Sequence, residues 1–241
     1  MPQNAGQVMQ VSCSSRPFAQ AFRDGSMTQL EWIDLCAGDL PLDGIEPCVS
    51  HFPRTDVEYL AQIKKLCVDR ALTVAGAQSE VAFGANVDSD VEQIKEALDV
   101  ALAIGAPLVR FSCGAASGSP GIAWRELIRG LKHASGHAKL RNVTLALEPT
   151  GGMLVATPED CKRALKECDS AWLRCALPLG ALAASPGEWA PLLTETVLLV
   201  AYLNGTPPRA PAGARGFVTI DGANGTADAS AVREFVAALQ A

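Results

Sequence analysis

Short β-branched runs alternate with longer amphipathic stretches along most of the chain, and this alternation constrains the fold more than any other feature. Parallel strands can be joined only by crossover segments, usually helices, so the pattern argues for repeated βα units. The predicted strands cover residues 8–13, 44–47, 72–78, 107–113, 142–148, 172–177 and 197–202, with a weaker eighth run at 217–221. The chain has 241 residues, close to the roughly 250 of one (β/α) barrel. A single α/β domain over residues 1–241 is therefore expected.

The connecting segments carry helix signals. Thr55, with Glu58 three residues later, predicts a capping box for a helix through Arg70. Residues 88–104 place Val91, Ile94 and Leu98 on one helical face and break at Gly105 and Pro107. Thr157, Pro158, Glu159 and Asp160 combine an N-cap, a first-turn proline and acids facing the helix dipole. Residues 114–121 and 207–216, rich in Gly, Pro, Ser and Ala, are the two real loops, and neither is long enough to link domains. A doubly wound open sheet would give the same alternation. It would also need a glycine-spaced turn after its first strand, and Ser14-Ser15-Arg16-Pro17-Phe18 supplies none, which favours a TIM-type barrel.

Composition removes several function classes. Hydrophobic residues make up 49%, charged residues 19%, and mean hydropathy is +0.16, values of a globular chain with a large core. A net charge of −6 and a pI near 5.1 offer no general attraction to polyphosphate, so no nucleic-acid partner is expected. No run approaches the ~18 apolar residues of a membrane span. Residues 1–8 have neither a basic stretch nor an apolar signal core, so a cytoplasmic location without membrane association is expected. The eight cysteines are spread through predicted strands and helices and form no CxxC pair; they read as reduced, buried residues.

Three passages, in order, resemble the xylose isomerase-like TIM barrel family, the sugar phosphate isomerase/epimerase group within the AP endonuclease family 2 superfamily. The first is Leu42-Asp43-Gly44-Ile45-Glu46 with the segment from His51 to Leu60, similar to the family's second strand and following helix. The second, Ala103 to Gly114 with Arg110 inside it, is similar to the fourth strand. The third, Val143 to Gly152 followed by Thr157-Pro158-Glu159, is similar to the fifth strand, glycine loop and next helix. The resemblance implies catalysis at the C-terminal ends of the strands, where Glu148 is the last residue of its run. It also implies that Glu148 binds a divalent metal (Mn, Mg or Zn) and takes part in proton transfer beside a substrate carbonyl. Carboxylate oxygens suit hard cations, and a metal-polarised carbonyl acidifies the adjacent C–H.

The family's metal site has four protein ligands: the strand-five glutamate, an aspartate ending strand six, a histidine from strand seven and a glutamate ending strand eight. Here Pro178 stands where the aspartate is expected, and Leu199 or Ala201 where the histidine is expected. The tail has two readings. In one, 217–221 is the last strand, Asp221 replaces the glutamate, and the seventh helix is missing. In the other, the tail is the loop and helix after strand seven, and the barrel stays incomplete at the eighth strand. The second is preferred because Gly222, Gly225 and Asp228 resemble the family's glycine-rich approach to that helix, although an open edge needs a cover or a partner chain.

Other residues complete the candidate site. Glu46 ends the second strand and His51 lies just beyond, so both are candidates for substrate contact. Arg110 shares strand parity with Ser112 and is a candidate for an anionic substrate or for the Glu148 carboxylate. His133 and His137 have i, i+4 spacing, but Ala134 replaces the glutamate of a zinc motif and the surroundings read as a solvated helix end. With three histidines, the chain also lacks the imidazoles of the apurinic endonuclease branch.

Two functions remain open. One is an isomerase or epimerase for a small sugar, polyol or hydroxy-carbonyl compound, with Glu148 as base, Asp221 or Glu46 as partner, and a degenerate metal site. The other is a non-catalytic barrel that binds a sugar-like ligand or a protein partner. An open edge after strand seven would favour a homodimer.

Overall fold

The computed structural model describes residues 9–240 except 85, 116–118, 212, 213, 215, 223 and 224. Val8, which opens the first predicted strand, Ala241, and parts of both predicted loops lie outside the described residues. Among the described residues there are nine strands: β1 Gln10–Ser14, β2 Gly44–Glu46, β3 Thr73–Val74, β4 Ala77–Phe83, β5 Leu108–Cys113, β6 Thr144–Glu148, β7 Leu173–Pro178, β8 Thr196–Tyr202 and β9 Phe217–Asp221. All pair in parallel in the order β3-β2-β1-β9-β8-β7-β6-β5-β4. The two ends of that order, β3 and β4, are consecutive pieces of chain separated by Ala75 and Gly76. They are halves of one barrel strand, which gives eight positions around a TIM-type barrel.

The tail corrects the preferred sequence reading. β9 pairs with β1 from Gln10↔Phe217 to Cys13↔Ile220 and with β8 from Leu199↔Val218 to Tyr202↔Asp221. The eighth strand exists, and it removes the edge that a partner chain would have covered. The cost foreseen for this arrangement is also present, since no helix occurs among the described residues between β8 and β9. The barrel's weak seam lies elsewhere. β2 has three residues, and its pairing passes to β4 through a single bridge, Cys48↔Gln78.

The helices are α1 Ala19–Arg23, α2 Gln29–Gly38, α3 Val57–Asp69, α4 Val87–Ile104, α5 Pro120–Arg141, α6 Pro158–Cys168, α7 Leu179–Ala184, α8 Pro186–Trp189 and α9 Ala229–Gln240. Their ends follow local chemistry. Thr157 is the expected N-cap of α6, where Asp160 also completes a capping box with it, and Gly105 closes α4 at φ +83°, where only glycine is unstrained. α3 starts one residue later than expected. Asp56, not Thr55, is its N-cap and accepts from the Tyr59 N–H at 3.0 Å, because a carboxylate meets the helix dipole better than a hydroxyl.

Two apolar cores result. The larger lies between sheet and helices and includes Trp32, Ile63, Leu98, Leu127, Leu199 and Ala201. The smaller fills the barrel itself, with Leu108, Ala146, Ala176, Leu198 and Val200 packed together. Strand parity then fixes which residues point inward above that plug. Gly76 belongs to its rim, since a Cβ there would lie 2.5 Å from Leu108 Cδ1. All eight cysteines are buried and free, as their scatter suggested. No helix among the described residues is long and apolar enough to cross a membrane.

Candidate functional site

Two residues beyond the apolar plug, the same strands become ionic. β2 presents Glu46, β5 Arg110, β6 Glu148 and β9 Asp221, each buried. Arg110 is at the centre. Its Nε and Nη2 donate to Glu46 Oε1 and Oε2 at 2.9 and 2.7 Å, a bidentate pair. Nη1 donates to Glu148 Oε2 at 2.6 Å, and Nη2 also donates to Asp221 Oδ2 at 2.8 Å. The layer continues outward. The Thr219 hydroxyl donates to Glu46 Oε2 at 3.1 Å, the Gly222 N–H to Asp221 Oδ1 at 2.7 Å, and Tyr202 Oη donates a short hydrogen bond to Glu148 Oε1. Arg16 Nη1 approaches Asp221 Oδ2 at 3.5 Å.

Burial and charge compete at each of these groups. For Arg110, burial lowers the pKa, but the three carboxylates outweigh it and raise the guanidinium well above its ordinary value. For Asp221, burial raises the pKa, but Arg110, Arg16 and the Gly222 N–H hold the carboxyl below the usual range. For Glu46 burial wins: despite Arg110, its pKa is raised, with the charges of Asp221 and Glu148 adding to the effect. Burial and the Glu148 charge raise the Tyr202 phenol, which keeps it a hydrogen-bond donor.

A cavity of about 630 Å³ opens above this layer at the C-terminal ends of the strands. Arg16, Gln78, Ser112, Glu148, Trp189 and Tyr202 are among its lining residues. Of the four ionic-layer residues, only Glu148 reaches that lining. Glu46, Arg110 and Asp221 are each 0% exposed beneath it. Arg110 and Ser112 do share the inward face. His51 stands to one side, with Nδ1 2.8 Å from Ser15 Oγ and its ring stacked on Phe22 at 4.8 Å. The histidine pair on α5 behaves as a solvated helix end. His133 is exposed, and His137 Nε2 lies 2.9 Å from Asp99 Oδ1, which Arg141 Nε also meets at 2.5 Å.

Sequence reasoning put the seventh-strand ligand position one residue out of phase. Leu199 and Ala201 face the helices in the outer core; Leu198, Val200 and Tyr202 face the interior. Tyr202 is thus the inward residue at the end of β8, as Pro178 is at the end of β7. The signal that could have found it was an aromatic hydroxyl closing an apolar strand at the same parity as Leu198 and Val200. Arg16 and Gln78 were also missed, because a turn and an interrupted strand give no periodic cue.

Known proteins bear on this geometry. No curated protein matches the chain in sequence. Among solved structures, D-psicose 3-epimerase with D-tagatose from Clostridium cellulolyticum H10 superposes with a TM-score of 0.78 at 13% identity, over 96% of this chain and 97% of that one. The 3-keto-D-glucoside 4-epimerase of E. coli gives 0.73 at 14% identity, over 96% and 99%. A probable 3-DHS dehydratase from Bacillus anthracis gives 0.71 at 13% identity, over 95% and 99%. At such identities the likeness is one of fold, and the fold carries more than one chemistry. The family model described as xylose isomerase-like TIM barrel matches residues 34–206, more than half of the sequence, and the chain belongs to that family.

Proposed function

We propose that this barrel is an isomerase- or epimerase-like protein that takes a small sugar, polyol or hydroxy-carbonyl compound into its cavity, with Glu148 as proton acceptor. The observation that carries this reading is that Glu148 alone belongs both to the buried ionic layer and to the cavity lining. The cavity, about 630 Å³, falls in the range of small-molecule sites. Its mixture of Arg16, Gln78 and Ser112 with Trp189 suits a hydroxylated ligand with an apolar face. The sugar epimerases among the structural neighbours support the same ligand class.

The ionic layer does not fit the divalent cation that the family resemblance implies. Pro178 offers no side-chain donor atom, and of the inward residues on β8, Val200 offers none and the Tyr202 hydroxyl is already bonded to Glu148. The carboxylates that remain, Glu148 and Asp221, are both bonded to the Arg110 guanidinium. The metal site is degenerate on this reading, and Arg110 is the internal cation. Glu46 and Asp221 serve as its counter-charges rather than as a second proton carrier, since both are sealed from the cavity.

The chemistry open to the remaining groups is a 1,2 or same-carbon proton transfer. Glu148 accepts the proton from the carbon next to the carbonyl, and the C–H electron pair moves to form an enediolate. Arg16 and the Tyr202 hydroxyl stabilise its oxygen, the hydroxyl proton passes from the neighbouring oxygen to that one, and Glu148 returns the carbon-bound proton to the neighbouring carbon on the same face; inversion at a single carbon by this one base requires the enediolate to turn over in the cavity first. A second reading, a barrel that binds such a ligand without turning it over, is favoured by one observation. Both Glu148 oxygens are engaged, by Arg110 and by Tyr202, so neither is free to take a substrate proton without giving up a hydrogen bond.

One experiment separates the two. Chelator-treated protein is incubated in D₂O with a panel of ketoses and aldoses, and deuterium at the carbon next to the carbonyl is followed by NMR. Exchange that falls at least about 100-fold in Glu148→Gln supports proton transfer. Saturable binding without exchange supports the binding reading. Neither binding nor exchange across the panel contradicts both.

A further inference from the structure

A second cluster of chemically matched groups lies at the barrel seam, outside the ionic layer. Cys48 and His51 come from the segment after β2, and Glu80 comes from β4. Their ligand atoms all lie within 4.8 Å of one another. We infer that Cys48, His51 and Glu80 form a binding site for a borderline divalent ion of the zinc type, which clamps β2 to β4 where backbone pairing is thinnest.

The donor set argues for that class of ion. One thiolate, one imidazole and one carboxylate are a mixed S, N, O set suited to Zn²⁺ or Co²⁺ and poorly suited to Mg²⁺ or Ca²⁺. A tetrahedral ion with bonds of about 2.0–2.3 Å needs its ligand atoms nearer to one another than that 4.8 Å bound, and side-chain rotation can supply any movement this requires. Three protein ligands leave a fourth position for water, as in open zinc sites.

Orienting groups are already in place. Ser15 Oγ lies 2.8 Å from His51 Nδ1 and accepts from the Cys48 N–H at 2.8 Å, so one hydroxyl ties two of the three residues together. Ser50 Oγ donates to Glu80 Oε2 at 2.5 Å and lies 3.3 Å from Cys48 Sγ, which links the third. Such outer contacts fix ring and carboxylate orientation around a metal. Glu80 is exposed and also lines the cavity, which gives an ion a route from solvent.

The location supplies the reason for a clamp. The backbone bridge Cys48↔Gln78 and the Gln78 N–H to Pro47 carbonyl bond at 2.9 Å carry the pairing between the end of β2 and β4. An ion held by Cys48, His51 and Glu80 would add a cross-link between the same two segments.

Cobalt(II) titration of the chelator-stripped full chain tests this. Expected is one equivalent bound with a thiolate-to-cobalt charge-transfer band, displaced by Zn²⁺. The band disappears in Cys48→Ser, and affinity falls at least about tenfold in Glu80→Gln, a change at an exposed position that leaves the fold intact. Zn²⁺ raises the melting temperature of the unsubstituted protein and not that of Cys48→Ser. No charge-transfer band, a band that survives in Cys48→Ser, or full affinity in Glu80→Gln overturns the site. Binding lost in Glu148→Gln and kept in the seam variants would place the ion in the ionic layer and overturn this inference together with the Arg110 reading.

Discussion

Two layers fill the barrel, and only two residues along each strand separate them. Below lie Leu108, Ala146, Ala176 and Val200; above them on the same strands lie Arg110, Glu148, Pro178 and Tyr202. The lower layer is an ordinary apolar plug whose burial stabilises the fold in proportion to the area removed from water. The upper layer places a guanidinium and three carboxylates out of solvent, where desolvation cancels much of their attraction. An apolar layer of similar volume would be about as stable. The difference teaches that the upper layer is kept for what it positions, namely Glu148 at the base of the cavity, rather than for net stability.

Removing one member from each layer sharpens the contrast. Arg110→Met leaves three buried carboxylates facing one another, and an expected loss of about 3–5 kcal/mol follows in urea unfolding. Leu198→Ala leaves a cavity in the plug and costs about 3 kcal/mol. The second loss is the same at every pH, whereas the first shrinks on acidification as the stranded carboxylates take up protons. A pH-independent loss in Arg110→Met would break the distinction between the layers.

Smaller effects test the two carboxylates whose environments act in opposite directions. The pKa of Asp221 is lowered on folding, so its stabilising contribution is present above the unfolded value and is lost as pH falls through the folded one. That of Glu46 is raised, so its contribution is present below the unfolded value and is lost as pH rises through the folded one. Between about pH 5 and 3, Asp221→Asn should therefore flatten the acid loss of stability, and Glu46→Gln should steepen it. Urea midpoints across that interval measure both. The same slope in all three proteins would mean that the ionic layer does not discriminate between its carboxylates.

Much of this was legible in the sequence because it is local. Strand runs, the helix start at Thr157 and the position of Glu148 at a strand end depend on residues a few positions apart. The Arg110 knot is not local. Glu46 and Asp221 lie 64 and 111 positions from Arg110, and no spacing rule joins them until the barrel brings β2, β5 and β9 together. The eighth strand was undervalued because the missing seventh helix breaks the βα rhythm, although its pairing with β1 and β8 needs no such helix. Tyr202 was passed over because an all-apolar strand does not reveal which of its two faces is the barrel interior until the register is known.

The central claim is that a guanidinium holds the place where the family resemblance implies a metal. Crystals soaked in manganese and measured for anomalous scattering test it directly. The account predicts no peak between Glu148 and Asp221 and an Arg110 side chain still bonded to both. A manganese peak bridging those carboxylates, with Arg110 displaced, would contradict it.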